Sequence, residues 1–168
     1  MLPSATDEYF DTNVAIECHR IGAWNAIASA IGLTTVEKVI EECGTGARRR
    51  EGYVEIDVAA MRKAVEVLKV SGNELATLRL TLAGRVNLDA GEEHLLAKAI
   101  TSNKPWRICS PDGALIRACG LLDYLDNVIS LEELLSKIGF RAKIPLQRQY
   151  TKGWLSVRKT DLLLEMEA

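Results

Sequence analysis

The chain has little aromatic surface. Phe, Trp and Tyr make up 5% of its 168 residues, so a core must be assembled mainly from Ala, Leu, Ile and Val. Its four cysteines, Cys18, Cys43, Cys109 and Cys119, are widely spaced and form no CxxC pair, which removes the usual zinc and thiol-redox signatures. Each falls within an apolar run, as expected of reduced, buried thiols in a cytoplasmic protein. The two histidines, His19 and His94, have no second ligand at metal spacing. There is no G-x-S-x-G, and the glycine-rich "GTGARRREG" (44–52) follows a helical pattern and lacks the Lys-Ser/Thr of a Walker motif. No early apolar stretch resembles a signal peptide and no run is long enough for a membrane span, so no membrane partner is expected. The formal charge of −2 gives no global basic signature.

The composition is globular, with 48% hydrophobic and 26% charged residues. Short β-prone runs alternate with helical patterns. "VAIECHRIGAWNAIASAI" (14–31) predicts one helix closed by Gly32, followed by a strand "LTTV" (33–36) and the helical "EKVIEEC". "YVEIDV" (53–58) alternates like a strand, and "AAMRKAVEVLKV" reads as the helix after it. Further helices are expected over "ELATLRLTLAG", "DAGEEHLLAKAIT", "PDGALIRACGLLDYL" and "LEELLSKIG", with strands at "WRICS" (106–110) and "NVIS". This alternation predicts a three-layer α/β/α domain over residues 1–140 with a short parallel sheet. The segment 141–168 breaks the pattern and reads as a basic C-terminal extension packed on the domain or on a partner.

Four acids stand at places where chemistry is concentrated in such folds: Asp11, Glu42, Glu92 and Asp112. Each also has a purely structural reading. Asp11 and Asn13 both suit an N-cap near Val14; Glu42 sits in an acid-rich helix; Asp89 and Glu92 have capping-box spacing; Ser110 can cap with Pro111 at the first helical position and Asp112 at the positive helix end. Taken together they suggest more. Asp11 and Asp112 each lie where a strand gives way to a helix, at the carboxyl edge where α/β sheets bind ligands. If the first strand neighbours "WRICS", these carboxylates converge. Converging carboxylates repel unless a hard cation such as Mg²⁺ or Mn²⁺ neutralises them, and such sites suit phosphodiester hydrolysis.

In order and context, "FDTNV", the acid ending "VEKVIEEC", "LDAGEEHLLAKA" and "ICSPDGALIRA…NVISLEELL" resemble a PIN domain, and more narrowly the VapC-like toxin nucleases of toxin–antitoxin modules. The resemblance spans roughly residues 7–140, with a first strand less apolar than members usually show and no counterpart for the tail. It implies strand order 3-2-1-4-5 and a Mg²⁺- or Mn²⁺-dependent endoribonuclease. Asp11, Glu42, Glu92 and Asp112 would be its catalytic and metal-binding acids, with Glu41 and Glu93 as the alternative choices. Asn13 and Ser110 would support them, and RNA, an antitoxin protein and a second subunit in a homodimer would be partners. Arg48, Arg49 and Arg50, and Lys152 and Trp154 of the acid-free stretch 141–160, are candidate RNA contacts. The bland reading of that stretch is a hairpin around "TKGW" packed on the domain. Two other functions compete: a catalytically silent PIN-like scaffold, and a receiver-type signalling domain with Asp57 as phosphoacceptor.

Overall fold

The computed structural model describes residues 5–45 and 54–168. Within them, five parallel strands form one sheet in the order β3-β2-β1-β4-β5, flanked by helices. β1 (Asp7–Phe10) is central, and it pairs with β2 (Leu33–Val36) on one side and β4 (Trp106–Cys109) on the other. β3 (Glu66–Leu68) and β5 (Val128–Ile129) are the edges. The chain leaves β1 to one side first and returns to the other side at β4. The strand order therefore reverses between β1 and β4, the crevice where α/β sheets place ligands.

β1 forms despite its polar sequence because its charges are matched across the sheet. Glu8 is buried and lies opposite Arg107 of β4, with which it makes an ion pair. Tyr9 and Phe10 supply the apolar burial. All four residues of β2 are buried, as expected of a parallel strand covered on both faces.

The expected single helix over 14–31 is two helices, α1 (Thr12–Arg20) and α2 (Trp24–Ala30). Gly22 is the reason: at φ +73 it lets the Ala23 N–H reach the Cys18 carbonyl (2.8 Å) and the Gly22 N–H reach that of His19 (3.2 Å), the double closure of a Schellman motif. α3 (Glu37–Thr45) follows β2 directly.

The expected strand at 53–58 is absent from its described part. Residues 54–57 are irregular, and Asp57 caps α4 (Val58–Ala64) by accepting from the Ala60 N–H at 3.0 Å. The third strand comes later, within the stretch read as a helix. The β-branched Val65 and Val67 favour extended backbone there, and β3 pairs with Thr34, Thr35 and Val36.

α5 (Gly72–Leu82) and α6 (Ala90–Ala99) lead to β4; α7 (Gly113–Leu121) links it to β5, and α8 (Leu131–Lys137) follows. The tail holds no hairpin at "TKGW". Thr151 caps α9 (Lys152–Glu167) by accepting from the Trp154 N–H at 3.3 Å, and this one helix takes up nearly all of the remaining chain. α9 buries Leu155 and Leu162 against the domain, and its Lys159 Nζ donates to the Val128 carbonyl at 2.7 Å. The four cysteines are buried and unpaired. No described helix is long and apolar enough to cross a membrane.

Candidate functional site

Asp11 directly follows β1, and its residue is 3% exposed. One carboxylate oxygen accepts from the Val14 N–H at 2.9 Å, capping α1; the other accepts a short hydrogen bond from the Ser110 hydroxyl. Ser110 follows β4, the strand beside β1, so this contact ties the two strand ends together across the point of reversed order.

The expected Ser110 cap and Pro111 first position are shifted along the chain. Asp112 is the cap of α7, accepting from the N–H groups of Ala114 (2.8 Å) and Leu115 (3.1 Å), and α7 begins at Gly113. Both N–H groups converge on Asp112 Oδ1, which leaves the other carboxylate oxygen clear of the cap. Ser110 accepts from the Asp112 N–H at 3.1 Å while donating to Asp11.

α6 brings a third acid to this edge. Asp89 and Glu92 form the capping box expected from their spacing, with bonds of 2.9 and 3.1 Å, and Glu92 is 5% exposed. Its carboxyl lies near that of Asp112, and burial first, then this neighbouring carboxyl, raise the Glu92 pKa well above the usual carboxylate range. Asp11 is pushed up to about 7, first by burial; the bonds from Ser110 and Val14 oppose the shift, and the charges of Asp112 and Asp89 add to it.

Glu42 arrives from α3. Its carboxylate accepts from the Thr12 hydroxyl at 2.7 Å, one residue past Asp11. It also lies against the first turn of α6: a Cβ on Gly91 would stand 2.5 and 2.6 Å from its two oxygens. The backbone beside Glu92 can approach Glu42 only because residue 91 has no side chain.

The four acids thus come from four separate segments to one strand edge, where three helix N-termini offer positive dipole ends. Among the described residues, no lysine, arginine or histidine makes an ion pair with any of them. The alternative acids face elsewhere: Glu41 meets Lys38 in solvent at 3.2 Å, and Glu93 pairs with Arg79 of α5 at 2.6 Å. Asn13 is half-buried in the first turn of α1. Asp57 is exposed and follows no strand. Lys152 and Trp154 open α9, while Arg48, Arg49 and Arg50 lie outside the described residues.

No three His, Cys, Asp or Glu side chains among the described residues stand as a ready-made metal cage. Mg²⁺ and Mn²⁺ do not require one, since Mg²⁺ characteristically binds through one or two carboxylates and completes its shell with water and substrate oxygens. The donor set fits that chemistry: the carboxyl and hydroxyl side chains gathered here are oxygen ligands, and burial and neighbouring acids raise the pKa of Asp11 and Glu92, a shift that a bound cation would reverse. Sequence reasoning missed Thr12, Asp89 and Gly91 as parts of this cluster. The D-T-N and D-A-G-E runs that contain them were the only signal. No family model matches the chain, and a search of curated proteins gives no match.

Proposed function

We propose that this protein is a metal-dependent endoribonuclease of the PIN type, acting as the toxin of a toxin–antitoxin pair. The convergence of Asp11, Glu42, Glu92 and Asp112 on the carboxyl edge of β1 and β4, with no cation paired to them among the described residues, carries the reading. Helix caps alone do not require carboxylates to be buried together, and the arrangement costs the metal-free fold stability at neutral pH.

Asp11 and Asp112 would hold a Mg²⁺ or Mn²⁺ ion, with Glu92 and Glu42 completing its acidic surround. When bound, such an ion supplies charge neutralisation at the phosphate and a more acidic water. Ser110 fixes the Asp11 carboxylate, and Thr12 fixes that of Glu42, so neither needs to reorganise when substrate arrives. Asp89 anchors Glu92 through the capping box.

The receiver reading loses its premise because Asp57 caps a helix and follows no strand. The ribonuclease reading is tested by incubating a labelled structured RNA with Mn²⁺, with excess EDTA, and with Asp112→Asn. Cleavage that requires the metal and disappears in the variant supports it; equal cleavage in all three sinks it. Growth arrest on expression, relieved by Asp112→Asn, tests the toxin role.

A further inference from the structure

The edge that carries the acids is continued by the C-terminal extension. Two contacts fix where the extension passes. The Tyr150 hydroxyl donates to the Asn13 carbonyl at 3.1 Å, two residues past Asp11, and the Lys152 N–H donates to Glu132 in the first turn of α8 at 3.0 Å. From there α9 runs alongside α7 in the same direction. Asp161 and Leu162 share a cavity with Gly113 and Ile116, Arg117 pairs with Glu165 at 2.8 Å, and Met166 approaches Gly120. The middle of α9, from Arg158 to Leu162, therefore lies beside Gly113, the residue after Asp112.

Two adjoining cavities follow this path. One is lined by Gly113, Arg117, Arg158 and Asp161 among others; the next, of about 500 Å³, by Arg148, Trp154, Arg158 and Asp161. They share Arg158 and Asp161 and so adjoin as one groove, which at Gly113 reaches the residue after Asp112. Arg148 and Arg158 are exposed, and the Arg158 guanidinium stands 5.7 Å from the centre of the half-buried Trp154 ring. Glu165 offsets Arg117, and Asp161 has no partner among the described residues.

We infer that this groove is the path of single-stranded RNA toward the acids, with phosphates on Arg148 and Arg158 and a base stacked at the Trp154–Arg158 platform. Exposed cations beside an aromatic face are what single strands use, because a duplex hides its base faces in the stack. An acidic peptide would use the arginines but gain less from the ring. The inference rests on the ribonuclease reading for its direction, since the acids mark where the strand must arrive.

The test is binding of the full chain to a labelled single-stranded RNA of about ten nucleotides, within the span of known single-strand sites, in EDTA so that nothing is cleaved. The strand should bind more tightly than a duplex of equal length. Trp154→Leu, which keeps apolar bulk, should weaken it by roughly tenfold. Arg148→Gln and Arg158→Gln should each flatten the log–log salt dependence by about 0.7. Asp161→Asn should tighten binding. Unchanged affinity in Trp154→Leu and Arg158→Gln, a preference for duplex, or tighter binding of polyglutamate overturns the inference. Binding as expected, with no cleavage in Mn²⁺, leaves the groove standing and removes the nuclease reading. Metal-dependent cleavage that ignores the groove variants does the reverse.

Discussion

Gly91→Ala separates the needs of the site from those of the fold. The added Cβ would lie 2.5 Å from one Glu42 oxygen, where ordinary contact begins at 3.4 Å, so the carboxylate must retreat by about 0.9 Å. That carboxylate is the acceptor of the 2.7 Å Thr12 bond, and a retreat of this size stretches or re-aims it. For stability the effects oppose. Alanine in a helix is favoured over glycine by roughly 0.5–1 kcal/mol, and a lost hydrogen bond to a carboxylate costs roughly 1.5–3 kcal/mol. The net loss should be roughly 0.5–2.5 kcal/mol, and the variant should still fold. Catalysis tolerates less, since a misplacement near 1 Å can cost about 100-fold. The assays are thermal melting, Mn²⁺ calorimetry and kcat/KM on RNA, with Gly72→Ala as control because a Cβ there meets nothing within 4 Å. Wild-type metal affinity and cleavage in Gly91→Ala would refute the role given to Glu42.

Other outcomes follow from the same geometry. Asp11, with its pKa near 7 in the fold, holds its proton after the unfolded chain has released it at about 4. Stability in EDTA should therefore fall as pH rises from about 4 toward 7, and Asp11→Asn should flatten that part of the melting profile. Added Mn²⁺ should raise the melting temperature more at pH 8 than at pH 5. Ser110→Ala removes the short bond that lowers the Asp11 pKa, so the inflection should move to higher pH and Mn²⁺ binding should weaken. Glu17 is 2% exposed, pairs with Arg20 and accepts from the Gln147 N–H at 2.8 Å, fastening the extension to α1. Glu17→Gln should cost about 1–3 kcal/mol by chemical denaturation; no change would mean that the extension is held elsewhere.

The parts of this structure legible in the sequence were those set by local chemistry. The Asp89–Glu92 capping box and the strand-to-helix switch after "WRIC" are written within a few adjacent residues. The third strand was not, because "YVEIDV" alternates better than "VEVL", and only pairing with β2 favours the latter. Gly22 divides a continuous apolar pattern through a backbone angle that periodicity does not register. Among the acids, Asp11 and Asp112 could be brought together by strand order alone. The choice of Glu42 over Glu41 depended on which face of α3 meets the first turn of α6, a tertiary fact signalled only by the glycine at 91. The tail was misread because "TKGW" carries turn residues, whereas its threonine caps a helix whose Leu155 and Leu162 find burial.

Binding of a divalent cation by the four acids is tested most directly by anomalous scattering from a crystal of the protein soaked in Mn²⁺. A peak is expected at the carboxyl edge of β1 and β4, within about 2.0–2.6 Å of oxygens of Asp11 or Asp112, with Glu92 and Glu42 beside it. A crystal that takes up Mn²⁺ elsewhere while this edge stays empty would contradict it.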